Sequence, residues 1–260
     1  MIDELTWPHW LWLALLALCV GSLLNVVVYR LPLMLQCGAT QHFTLWLPRS
    51  HCPKCRTPIS WHDNIPLAGW LRLHGRCRQC RAAISRRYPL TELSALLLAC
   101  IAAWLIPPGP ALFGALLLGW ILLALALIDY DHQLLPDNLT LPLLWLGLLF
   151  QLYGGTVALA DAVIGAMAGY LCLWLLFWVF RLATGREALG YGDFKLLAAL
   201  GAWLGWMALP GLLLLAASAG IALTLLARLT HRRPLDAPLP FGPLLALAGW
   251  VQFLQQAAEV

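Results

Sequence analysis

"GYGDFKLLAALGAWLGWMALPGLLLLAASAGIALTLLAR", residues 190–228, carries Asp193 and Lys195 near its start and then no charge for 32 residues, until Arg228. A helix crosses the hydrocarbon core of a bilayer with about 20 apolar residues. The run is therefore too long for one span, and Pro210-Gly211 predicts two spans meeting at a turn.

The rest of the 260-residue chain reads the same way. It is 62% hydrophobic and 11% charged, with 14 tryptophans, which exceeds the apolar content that one water-soluble core requires. Further stretches with little or no charge run over residues 11–29, 93–106, 111–128, 139–160, 162–180 and 237–258. Together they predict an all-α polytopic membrane protein with about eight transmembrane helices. The weakest is 93–106, which must borrow Leu90 to Glu92 to reach across and has a re-entrant segment as its alternative. The N-terminus holds Asp3 and Glu4 and lacks the basic start of a secretory signal, so the first span is expected to be a retained anchor.

Basic residues set the orientation. Of the 16 lysines and arginines, ten fall between Arg30 and Arg87, and Arg181, Arg186, Lys195, Arg228, Arg232 and Arg233 lie on the same side of the predicted spans. The positive-inside rule makes that side cytoplasmic and puts the N-terminus outside. A net charge of +4 then reflects membrane topology rather than nucleic-acid binding, and lipid is the expected surrounding.

Three segments follow: a first transmembrane helix (1–29), a cytoplasmic cysteine-rich insert (30–88) and a transmembrane core (89–260). The insert contains Cys52 and Cys55 in one CxxC and Cys77 and Cys80 in another, 21 residues apart. Each pair offers two sulfurs from one tight turn, the arrangement of a tetrahedral zinc site. Four sulfurs leave no position for water, so such a zinc is structural. Unmetallated or redox-active cysteine pairs are the alternative. Cys19, Cys100 and Cys172 lie in apolar spans as packing residues, Cys37 is a loop thiol, and His42, His51, His62 and His74 are surface histidines or substitute ligands.

Asp129, Asp131 and Asp137 cluster where the third span ends, in "LALIDYDHQLLPDNLTLPL". Asp193 follows the fifth span. Two spans separate Asp129 from Asp193, so both emerge on one side whatever the absolute orientation. A carboxylate at membrane depth costs about 3 kcal/mol and marks a wet cavity, a proton relay or chemistry. Two that meet can share a proton, one acting as base toward water while the other polarises a carbonyl. Gly190 and Gly192 fit this reading if they let the backbone unwind beside a peptide, and Lys195 could orient a carbonyl or balance charge. Against it stands the plainer reading, in which these aspartates cap helix ends. That plainer role is the one expected of Asp131 and of Asp137, which looks like an N-cap in Pro136-Asp137-Asn138. A proton-coupled carrier and a zinc-dependent scaffold protein are rival functions.

Several motifs then stand in one order: "GSLLNVVVYRLP" (21–32), "CPKC…NIPL…GRCRQC…ISRRYPLTELS" (52–94), "LIDYDHQLLPDNLTLPLLWLGL" (127–148), "GYGDFKLLAALGAW" (190–203) and "PLPFGPLLALAGW" (238–250). In this the chain resembles the type IV prepilin peptidases, bifunctional inner-membrane aspartic proteases that also methylate their product. It departs from their pattern in small ways, such as Leu24 where phenylalanine is usual.

The resemblance implies that Asp129 and Asp193 are catalytic and that Cys52, Cys55, Cys77 and Cys80 bind zinc. The implied substrates are prepilins and pseudopilins with a short basic leader, cut at the cytoplasmic face of the bacterial inner membrane. It also implies methyl transfer from S-adenosylmethionine to the new N-terminal amine. No glycine fingerprint marks that cofactor's site; Gly21, Asn25, Asn64 and Gly75 are weak candidates.

Overall fold

A computed structural model describes residues 6–36, 44–185, 190–229 and 240–259. Cys37, His42, Arg186, Arg232 and Arg233 lie outside the described residues. Among those described, the chain is helical without named strands: α1 (Trp7–Gln36), α2 (Ala68–Arg72), α3 (Arg87–Leu105), α4 (Pro110–His132), α5 (Asp137–Leu152), α6 (Leu159–Thr184), α7 (Tyr191–Leu204), α8 (Leu209–Leu229) and α9 (Gly242–Glu259). Among the described residues, five stretches are long and apolar enough to cross a membrane: Trp7–Leu35, Arg87–Leu105, Pro110–His132, Leu159–Thr184 and Trp206–Leu226.

The chain divides into two compact units, Met1–Trp104 and Leu105–Val260. In the first, α1 and α3 approach closely at Gly21, where an added Cβ would stand 2.7 Å from Glu92 Cα. Asn25 donates its side-chain amide to Tyr88 O at 3.1 Å. The insert is tied back at two points. Arg30 donates to the carbonyls of Thr44, Leu45 and Pro48 at 2.9, 3.2 and 2.7 Å, and Glu92 Oε2 accepts the Leu67 N–H at 2.8 Å. Each contact matches a buried polar side chain to a partner, as an apolar surrounding demands.

In the second unit α7 is the buried core: every residue from Leu196 to Leu204 is buried. From Leu196 on its side chains are apolar all round, which only a helix enclosed on every face tolerates. Close approach to α6 depends on small residues. Gly165 and Gly169 of α6 form a GxxxG step, Gly165 facing Gly201 and Gly169 facing the Leu197 carbonyl, where a Cβ would stand 2.6 Å away. Fourteen residues give α7 about 21 Å of length, so it ends inside the bundle. Its last carbonyls are met there by side chains: Gln151 Nε2 donates to Trp203 O at 2.6 Å and Gln256 Nε2 to Leu204 O at 3.0 Å.

The break between α7 and α8 falls earlier than Pro210-Gly211. It lies at Gly205, which takes φ 77° and returns its N–H to Gly201 O at 2.9 Å. A left-handed residue there favours glycine. A short 3-10 turn (Trp206–Ala208) follows, and Pro210 is the second residue of α8, where its missing N–H has no helical partner to lose.

Candidate active site and metal centre

Asp129 lies in the last turn of α4 and Asp193 in the first turn of α7; they are 6% and 8% exposed, within a core otherwise almost wholly apolar. Each carboxylate has a backbone donor: the Gly242 N–H reaches Asp129 Oδ2 at 3.0 Å and the Gly190 N–H reaches Asp193 Oδ2 at 3.2 Å. The structure thus gathers the end of α4, the turn after it and the starts of α7 and α9 around two buried acids.

The neighbouring glycines take different parts from those expected, while Lys195 takes one of its two expected parts and balances a charge. Gly190 and Gly192 do not unwind the backbone. Gly190 is an extended N-cap (φ −80°, ψ 145°) and Gly192 is helical. An added Cβ on Gly192 would stand 2.7 Å from Leu135 Cβ, so its lack of a side chain lets the α4–α5 turn lie against α7. Lys195 Nζ donates to both carboxylate oxygens of Asp137, at 2.7 and 2.8 Å. Asp137 is the first residue of α5 rather than its N-cap; Pro136 holds that place, and no side chain caps the helix. Asp131 is exposed.

In the insert the two CxxC turns repeat one geometry. The Cys52 N–H donates to Thr57 O and the Arg56 N–H to Cys52 O, at 3.0 and 2.8 Å; the Cys77 N–H donates to Ala82 O and the Arg81 N–H to Cys77 O, at 2.8 and 3.0 Å. Arg56 and Arg81, each following a second cysteine, both take positive φ, 56° and 58°. The four Sγ atoms lie within 4.8 Å of one another, with Cys52–Cys80 at 3.7 Å and Cys55–Cys77 at 3.9 Å. Tetrahedral Zn–S bonds of about 2.3 Å put sulfurs about 3.8 Å apart, so the donor set fits zinc.

Its electrostatics agree. The hydroxyl and N–H of Thr57 pull the Cys55 thiol down to about 6, and the N–H groups of Cys80 and Gln79 lower that of Cys77. Sulfurs this close cannot all ionise without a cation. Although the Ala82 N–H lowers it, Cys80 is pushed up to about 11 by burial and its neighbouring sulfurs.

Asp63 organises the same unit and went unread in the sequence. It accepts from Arg72 Nη2 at 2.6 Å, from Arg78 Nε and Nη2 at 2.8 and 2.6 Å and from Ser60 Oγ at 2.8 Å. The signal was available: Asp63 is the one acidic residue between Arg30 and Arg87, among ten basic ones.

Of the cofactor candidates, Gly21 and Asn25 make the α1–α3 contacts above. Gly75, at φ 66°, has the Trp70 ring 2.8 Å from where its Cβ would stand. Asn64 is exposed at the end of a 3-10 turn (Trp61–Asn64). None of these contacts marks a nucleoside site.

Residues 15–106 match the bacterial peptidase A24 N-terminal domain, and residues 116–225 match the type IV leader peptidase family. The chain is 52% identical to a prepilin leader peptidase/N-methyltransferase of Aeromonas salmonicida, over 96% of this chain and 92% of the relative. It is 58% identical to one of Klebsiella pneumoniae, over 82% and 92%, and 48% identical to one of Pseudomonas aeruginosa, over 92% and 88%. No solved structure matches the chain. Identity of this order along nearly the whole sequence leaves one assignment: the chain belongs to the type IV leader peptidase family.

Proposed function

We propose that the protein is a membrane aspartic endopeptidase that removes the short basic leader of type IV prepilins, type II secretion pseudopilins or both. It then methylates the new N-terminal amine with S-adenosylmethionine. The observation that carries the peptidase reading is the pair of buried carboxylates, Asp129 and Asp193, on converging helix ends of a core otherwise almost wholly apolar. Asp193 also accepts the Gly190 N–H at the start of α7, a capping contact that an uncharged acceptor could make as well.

The chemistry follows from a shared proton. The ionised carboxylate takes a proton from water as the oxygen adds to the scissile carbonyl, while the protonated carboxyl donates to the carbonyl oxygen. Collapse of the tetrahedral species breaks the C–N bond, and the proton passes to the leaving amine. That amine, at the start of the mature pilin, is the methyl acceptor. S-adenosylmethionine supplies the methyl group when bound; the relatives' names and the family resemblance support this second activity.

In this reading the eight long helices of the described residues lie in the bacterial inner membrane, α7 ending within it, with the N-terminus outside. Residues 1–29 are the first span, 30–88 the cytoplasmic insert and 89–260 the protease core. Cys52, Cys55, Cys77 and Cys80 hold a structural zinc. A basic leader held in the cytoplasm and an apolar helix in the bilayer place the scissile bond at the interface, beside the dyad.

The test is mass spectrometry of a co-reconstituted prepilin. The wild-type protein should give leader loss and a gain of one methyl group, and Asp129→Asn and Asp193→Asn should each give neither. Turnover retained in either variant removes that residue from the dyad.

A further inference from the structure

The start of α9 is occupied by Asp129. Its approach reads Pro240-Phe241-Gly242-Pro243, with Gly242 at the first helical position, and the N–H groups of Leu244 and Leu245 both turn back to Phe241 O at 3.1 Å. The first amides of any helix have no carbonyl to bond. Pro243 has no N–H at all, so of the first two residues only Gly242 offers a free donor. That donor reaches Asp129 Oδ2 at 3.0 Å, 113 residues away in the chain.

Gly242 is also the residue that the contact requires. A Cβ added there would stand 2.6 Å from Asp129 Oδ2, 3.0 Å from Cγ and 3.2 Å from Cβ. Any side chain would collide with the carboxylate, and neither the end of α4 nor the start of α9 can shift freely. Trp250 fixes α9 on α4, donating Nε1–H to Ala115 O at 3.1 Å and closing on Gly119, where a Cβ would meet Nε1 at 2.5 Å.

The two acids therefore differ in how they are held. The donor to Asp193 is Gly190, three residues earlier, so that contact travels with α7. The donor to Asp129 arrives on another helix. Asp129 also sits at the C-terminal end of α4, where the helix's own carbonyls oppose a negative charge, and the amide end of α9 offsets this.

We infer that Gly242 is a positioning residue for Asp129: its amide holds Oδ2 in place, so that Oδ1 is the oxygen left for the reaction, and its missing side chain keeps that geometry open. The inference rests on the proposed role of Asp129 in peptide hydrolysis.

The experiment measures leader cleavage in proteoliposomes for the wild type, Gly242→Ala and Leu247→Ala, an exposed position on the same helix. Gly242→Ala should lower kcat by about 10- to 100-fold, the scale of a misplaced reacting group, with KM within about twofold. Leu247→Ala should keep both constants. Wild-type kcat in Gly242→Ala overturns the inference, as does a matched change in kcat and KM. Should Gly242→Ala fail to accumulate, adding Asp129→Ala, which removes the two nearest colliding atoms, should restore accumulation; failure to restore it also overturns the inference. Turnover in Asp129→Asn alone would instead sink the dyad itself, whatever Gly242→Ala does.

Discussion

Lys195 and Asp137 form an ion pair that closes a loop around the candidate site. Lys195 stands two residues after Asp193 and Asp137 eight after Asp129, and Lys195 Nζ lies 2.7 and 2.8 Å from the two Asp137 oxygens. The pair joins the chain that follows one acid to the helix that begins with the other. Both side chains are partly exposed, at 32% and 51%, which limits the stabilisation to about 1 kcal/mol. Lys195→Asp or Asp137→Lys alone should lower the cleavage rate about fivefold, and the exchanged pair should recover most of it. Single variants with wild-type kcat would show that the pair does not set the spacing of the acids.

Packing of α6 on α7 depends on glycine at positions 165 and 201, because a Cβ on either meets the other's carbonyl oxygen. Gly201→Ala should cost about 1–3 kcal/mol, the usual penalty of overfilling a packed core. Thermal aggregation in detergent measures it. Ala166→Gly, a change beside the same contact that adds no atoms, should leave the transition within a few degrees.

Zinc analysis tests the cysteine cluster directly. The wild-type protein should carry about one zinc per chain, and Cys77→Ser should lose it along with protease resistance of residues 44–88. Adding zinc to the apo protein at pH 7 should release protons, since the Cys80 thiol, held at about 11, must ionise to bind. Metal-free protein with full protease resistance would contradict the structural role.

Asp63 gives the insert an acid-sensitive step. Hydrogen bonds from Arg78 first, then from Arg72 and Ser60, hold its carboxyl well below the usual carboxylate range. The folded value is thus below the unfolded one of about 3.9. Its contribution is present above pH 4 and is lost as the pH falls toward the folded value. Limited proteolysis across pH 2–6 should show the wild-type insert opening below pH 4. Asp63→Asn, lacking the charge, should be cut faster at neutral pH and show less change with acid.

Much of this molecule can be read locally. Hydrocarbon thickness and charge-free runs locate its long helices, because crossing length is a property of each segment. Paired CxxC turns announce a four-sulfur site for the same reason: each knuckle is built from four consecutive residues. Counting spans puts Asp129 and Asp193 on one side on the condition that the two spans between them both cross. Even Asp63 was legible, as a lone acid among arginines.

Tertiary packing decided the rest. Pro210 looks like the break in 196–227, yet Gly205 makes it, since a proline is accommodated in a first helical turn while a left-handed residue favours glycine. Asp137 has an N-cap's sequence, but Lys195 arrives from 58 residues away and binds it. Gly242 looks like an ordinary helix start until α9 lies on α4 and its amide meets Asp129. Sequence fixes what a residue can donate, accept or leave empty; which distant group comes to use that capacity depends on helices packing at close approach, and no local pattern records it.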